Sequence, residues 1–130
     1  MSNIKKISLV LEKEGGTIWG RVQVNDNLFF DSATSLKTLE KKLRKALKDF
    51  EAIEEVEFVY AYDLTMFFEQ FKFLNQTKIA ELSGINPSLI RQYSSGNKQP
   101  SKEQVHKIQT AVRQLGNTLK SIQLSAKAYH

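Results

Sequence analysis

Between Lys5 and Val24 apolar side chains recur at every second position. Ile7, Leu9 and Leu11 share one face of the first run, Ile18, Val22 and Val24 share one face of the second, and Gly15-Gly16 lies between them. An extended chain sends successive side chains to opposite faces, so the two runs predict strands joined as a hairpin. Asn25-Asp26-Asn27 is a second turn signal, because Asn and Asp tolerate left-handed backbone, and it leads into a short third strand at Leu28-Phe29-Phe30. From Ser35 to Phe50 the period becomes helical. Leu36, Leu39, Leu43, Ala46, Leu47 and Phe50 form one stripe, with Lys37, Lys41, Lys42, Arg44, Lys45 and Lys48 off it, and Thr34 or Ser35 is the expected N-cap. Val56, Phe58 and Tyr60 then alternate with Glu57 and Val59, which predicts a fourth strand.

The rest of the chain reads as helical. Met66 to Leu74 is dense in phenylalanine and predicts a largely buried helix. Thr77 to Ser83 is a short helix with Ile79, Ala80 and Leu82 inward, Gly84 stops it, and Pro87 opens another where its missing N–H is not needed. Gly96 to Pro100 is a loop, and Ser101 with Gln104 three residues later resembles a capping box. The final stripe is Val105, Ile108, Val112, Leu115, Leu119 and Ile122, which Gly116 is expected to weaken or end. Thr118 to Leu124 reads equally as helix or strand. The expected fold class is α+β, with a small antiparallel sheet carrying one helix in residues 1–62 and an all-helical domain in residues 63–130.

Charge divides the chain in the same place. The 130 residues carry a formal +5, yet residues 1–63 hold 10 basic against 11 acidic side chains and residues 64–130 hold 9 against 3. The whole positive excess, +6, belongs to the second half, which points to an anionic partner there: nucleic acid first, a membrane surface as the rival. The phenylalanines of Phe67 to Phe73 are needed for a core, which argues against the membrane. The absence of cysteine removes disulfides and thiol nucleophiles and suits a reducing cytoplasm, and the opening residues read as neither a secretory signal nor a membrane span. Glu12, Glu14, Asp31 and Asp63 fall at strand ends and hairpins, not at the centre of the first strand, and His106 and His130 are too far apart in context to form a site. No catalytic residue, metal or cofactor is expected.

The most specific signal is Asn75 to Pro100. Ala80 is small where two helices cross, Gly84 supplies the turn, Ile85 plugs the junction and Ile90 anchors the second helix, a spacing that predicts a helix-turn-helix. The pattern Gln-x3-Ala-x3-Gly-Ile-x4-Ile-x5-Gly-x3-Pro, extended by Val105 and Ile108, resembles the Cro and phage-repressor (XRE) class of DNA-binding domains over about residues 64 to 122. The resemblance implies a recognition helix at Pro87 to Ser95, with Asn86, Ser88, Arg91 and Gln92 contacting bases. It implies phosphate contacts from Gln76, Lys78, Asn97 and Lys98. Pro87 departs from the pattern, since family members often read a base from that position.

Beside it, the strand opening Ile4-Lys5-Lys6-Ile7-Ser8-Leu9-Val10, the second strand with Trp19-Gly20-Arg21-Val22, the short third strand and the helix at Ser35 to Leu47 resemble HicB-family antitoxins. That family implies a partial ribonuclease H-like domain. The helix departs from it by opening Ser35-Leu36-Lys37-Thr38 without acids. Together the resemblances imply a cytoplasmic antitoxin and autorepressor, not an enzyme. Its expected partners are a small ribonuclease toxin, double-stranded operator DNA and one or more further copies of itself, as a homodimer or tetramer, with the outer part of the last stripe in the dimer contact. The alternatives are a stand-alone transcriptional regulator whose first domain senses a ligand or dimerises, and a nuclease with a DNA-targeting arm.

Overall fold

The computed structural model describes residues 4–128, and its element order is strand, strand, strand, helix, strand, then four helices. The strands are β1 (Lys5–Glu14), β2 (Thr17–Val24), β3 (Asn27–Ala33) and β4 (Val56–Tyr62), and the helices are α1 (Leu36–Glu51), α2 (Leu64–Gln70), α3 (Gln76–Ser83), α4 (Pro87–Ser95) and α5 (Lys102–Ser121). The chain divides into two compact units, Met1–Phe71 and Lys72–His130. The fold is α+β, a four-stranded sheet with α1 between its last two strands and four helices after it.

In the first unit the strands lie in the order β3-β2-β1-β4. β1 pairs antiparallel with β2, and β2 with β3, but β4 runs parallel to β1 with Ile7 opposite Phe58 and Leu9 opposite Tyr60. The sheet is therefore mixed, not antiparallel as the strand pattern alone suggested. The cause is the α1 crossover, which returns the chain to the end where β1 began. Every second residue of β1 and β2 enters the core: Ile7, Leu9, Leu11, Ile18 and Val22 are buried beneath Leu39, Leu43 and Leu47 of α1. Gly20 stands where α1 comes closest to the sheet, and a Cβ there would lie 2.8 Å from Leu39 Cδ2 and 3.1 Å from Leu9 Cδ1. Ser35 is the N-cap of α1, its side chain accepting the Thr38 N–H at 3.2 Å. Phe50, placed on the buried stripe by its spacing, is instead 77% exposed, because it lies in the last turn of α1 at the margin of the sheet, beside Phe29.

The helix expected at Met66 to Leu74 is shorter, ending at Gln70, and it packs against β1 and β4 as part of the first unit. Met66 is fully buried in the sheet core, while Phe73, beyond the helix, is 82% exposed. The boundary thus lies after Phe71, not after Tyr62. Moving it transfers Glu69, which pairs with Lys13 of β1, to the first unit. The first unit then holds 10 basic against 12 acidic residues and the second 9 against 2, so the charge contrast sharpens to −2 and +7.

Carboxylates and a phenol of this unit have local structural duties. Glu12 pairs with Arg21 at 3.0 Å and Asp31 with Lys42 at 3.7 Å. Tyr60 donates to Glu40, and that bond, burial and the nearby carboxylate push the phenol up to about 12. Asp63 is the N-cap of α2, accepting the Met66 N–H at 2.8 Å, and burial raises its carboxyl above the usual value despite that bond. A raised acid contributes stability that is complete at low pH and lost as pH rises through the folded value, so the ionised cap is a cost at neutral pH. Asp63→Asn keeps a capping oxygen and is expected to leave stability at pH 7 unchanged or slightly higher. Asp63→Ala should lower it by about 0.5–2 kcal/mol. Chemical denaturation of the two variants at pH 7 and pH 3 checks this, and the advantage of Asn should vanish at the lower pH.

Candidate nucleic-acid interface

In the second unit α3 is capped at its start by Asn75, whose side chain accepts the Lys78 N–H at 3.1 Å, and at its end by Gly84 in the left-handed region, φ 71°. The Ile85 N–H then reaches back to the Ala80 carbonyl at 3.2 Å. This closing bond satisfies carbonyls the helix leaves over and turns the chain within three residues. Asn86 caps α4 by accepting the Ser88 N–H at 2.8 Å, and Pro87 occupies the first turn. Gly96, φ 82°, ends α4.

Ile79, Ala80, Ile85, Ile90 and Tyr93 are buried, with Ile108 and Ala111 of α5, and α3 packs against both α4 and α5. Because Ile90 and Tyr93 face inward, a helical period leaves Ser88, Arg91 and Ser95 exposed, with Gln92 half-buried at their margin. Ser88 lies three and four residues from Arg91 and Gln92, and Ser95 four and three beyond them, so the four form one outward stripe. Arg91 offers an always-charged planar fork that matches guanine O6 and N7, Gln92 an amide that matches adenine N6 and N7, and the serines short hydroxyls. Ser95 was not singled out from sequence, although the 88, 91, 92, 95 spacing contains it. Its hydroxyl also bonds the Gln92 carbonyl at 3.2 Å.

The other candidates divide. Asn97 and Lys98 are exposed just past α4, and the Lys98 N–H bonds the Gln92 carbonyl at 3.3 Å, which holds the loop against the helix. Gln76 is half-buried and donates to Ser94 Oγ at 3.0 Å, tying the start of α3 to α4. That bond gives Gln76 a clamping role within the unit. Lys78 is exposed and lies 3.5 Å from Glu81, a surface pair of little energy that a phosphate can displace. Asn86 spends its oxygen on the cap, which leaves its amide N–H groups to donate outward. No protein-family model, curated protein or solved structure matches the chain.

The last helix differs from expectation. α5 passes through Gly116 without a break and ends at Ser121, where Ile122 turns extended. A Cβ at Gly116 would meet nothing within 4 Å, so the residue lies on an open face where its lack of a side chain costs no packing. Residues 122–127 form neither helix nor strand. Only Ile108 and Ala111 of α5 are buried. Val105, Leu119 and Ile122 are exposed, and Val112 and Leu115 are half-buried. His106 is exposed on this helix, and His130 lies outside the described residues. Among the described residues no helix is long and apolar enough to cross a membrane.

Proposed function

We propose that the chain is a cytoplasmic DNA-binding antitoxin and autorepressor, with α3 and α4 as a helix-turn-helix and α4 as the helix that enters the major groove. The observation that carries the reading is the outward stripe of α4. Its inward residues, Ile90 and Tyr93, are locked in the core, so Ser88, Arg91 and Gln92 are presented on a rigid element. Asn97 and Lys98 sit beside them on a unit of charge +7, and the amides of Gln76 and Thr77, ahead of the capped Lys78 N–H, are suited to phosphate. The apolar strip of α5 left uncovered beyond Ala111 suits a contact with a second copy, which a two-fold operator requires. The first unit, by its resemblance to HicB antitoxins, is assigned to binding a small ribonuclease toxin.

Titration of a fluorescent fragment of the chain's own promoter at stepped salt concentrations tests the DNA assignment. Affinity should fall steeply, by about 0.9 in the logarithmic slope for each phosphate neutralised. Lys98→Ala should weaken all sequences alike and reduce the slope by about 1. Binding that is absent, or indifferent to salt, would sink the reading. Co-expression with the product of any short basic reading frame beside the gene, scored by rescue of growth, tests the toxin assignment separately.

A further inference from the structure

We infer that β3 is a self-association edge, along which two copies of the chain join their sheets antiparallel into one eight-stranded sheet. β3 is the outermost strand on its side, and its outward backbone groups can be identified. The two-residue turn at Asn25-Asp26 makes Val24 and Asn27 the closing pair of the hairpin, so Asn27, Phe29, Asp31 and Ala33 bond to β2. Leu28, Phe30 and Ser32 then point their N–H and C=O groups away from the sheet. The Ser32 carbonyl accepts Lys42 Nζ at 2.8 Å, as an outward carbonyl can, and has a second lone pair to spare. Leu28 and Phe30 keep unpaired edge groups, and neither carries the charge, proline or bulge that normally blunts an edge.

The side chains around that edge are large and apolar, and Leu28, Phe30 and Phe50 are exposed. On the helix-free face Phe30 is 60% and Leu28 62% exposed, and Phe30 stacks on Trp19 at 5.2 Å between centroids. On the other face Phe29 meets the exposed Phe50 at 6.4 Å. Four aromatic residues and a leucine on one sheet margin have the composition of an interface centre.

Two features select a second copy as the occupant. A two-fold axis at Phe30 sets Phe30 against Phe30 and Leu28 against Ser32, so every outward N–H and C=O meets a complementary group. The rim is also polarised. Lys42, which also faces Asp31 of β3 at 3.7 Å, lies at the Ser32 end of the strand, and Glu51, which accepts from Asn25 and Asn27, lies at the Asn27 end. Antiparallel pairing brings the Lys42 of each copy toward the Glu51 of the other, twice over, whereas parallel pairing would set Glu51 beside Glu51. This contact is independent of the DNA assignment. Combined with a second contact through α5 it builds a tetramer that carries four DNA-reading helices.

Sedimentation equilibrium of the full chain tests it. Phe30→Lys and Leu28→Lys, both at exposed positions, should each halve the wild-type mass at micromolar concentration or raise the dissociation constant at least tenfold, with unchanged circular dichroism. Lys42→Glu and Glu51→Lys should each weaken association, and the double charge swap should restore it. Because the chain has no cysteine, Phe30→Cys should oxidise to a covalent dimer while Val59→Cys on β4 does not; paired strands place the Phe30 Cα atoms about 5.5 Å apart, within disulfide reach. A wild-type chain that is monomeric at these concentrations would overturn the inference. So would a mass indifferent to Phe30→Lys, or cross-linking through Val59 in preference to Phe30.

Discussion

Arg91→Ala is expected to weaken binding to the promoter fragment by about tenfold to a hundredfold and to abolish discrimination at one base position, with the melting temperature unchanged. A bidentate arginine–guanine pair is worth about 1–3 kcal/mol of discrimination against the wrong base, which sets the range. Stability should not move, because Arg91 is exposed and its neighbours Ile90 and Tyr93, not its own side chain, anchor α4. The contrast with Lys98→Ala is the sharper part of the expectation. A phosphate contact costs every sequence equally and lowers the salt slope, whereas a base contact costs only the cognate sequence and leaves the preference at that position flat. Competition of cognate against single-substituted fragments, with both variants side by side, separates the two. Equal loss on all fragments for Arg91→Ala would move that residue from base reading to backbone positioning.

The largest effect on folding is expected at Gly20. Its hypothetical Cβ falls 2.8 Å from Leu39 Cδ2 and 3.1 Å from Leu9 Cδ1, and both leucines are fully buried, so neither has open space into which to retreat. Gly20→Ala should cost about 1–3 kcal/mol by overpacking, less a fraction for reduced freedom of the unfolded chain. Gly20→Val adds two further methyl groups against α1 and should cost more than that, a large part of a small domain's total stability. Trp19, the one tryptophan and a member of β2, reports on this unit directly. Urea denaturation followed by its fluorescence should show the midpoint fall in the order glycine, alanine, valine. A valine variant as stable as the wild type would mean that α1 does not approach the sheet as closely as the structure has it.

The helix junction at Gly84 and the interiors of β1 and β2 were legible because each depends on local rules. Period two, a left-handed glycine and a proline in the first turn constrain a handful of neighbouring residues and need no partner from elsewhere in the chain. Ile79, Ala80, Ile85 and Ile90 are buried as their spacing implied. The outward stripe of α4 was also mostly legible, since it is the complement of the buried one. Gln76 was less so: its bond to Ser94 joins residues 18 apart in the chain, and nothing in either local sequence announces it. The same holds for Phe50, whose spacing belongs to the buried stripe of α1 but whose position at the margin of the sheet leaves it uncovered.

The amino-acid pattern by itself determined the α+β class, the order of the elements, the junction at Gly84 and the concentration of positive charge in the second half, because each is a property of neighbours in sequence or of simple counts. Tertiary structure alone decided three things. β4 pairs parallel to β1 because the α1 crossover returns the chain to the start of that strand. α2 belongs to the sheet unit because Met66 completes its core. β3 becomes an open aromatic edge because β2 occupies only one of its sides. Each of these depends on which surfaces remain after distant segments have packed, and a linear pattern that says a side chain is apolar does not say what will cover it.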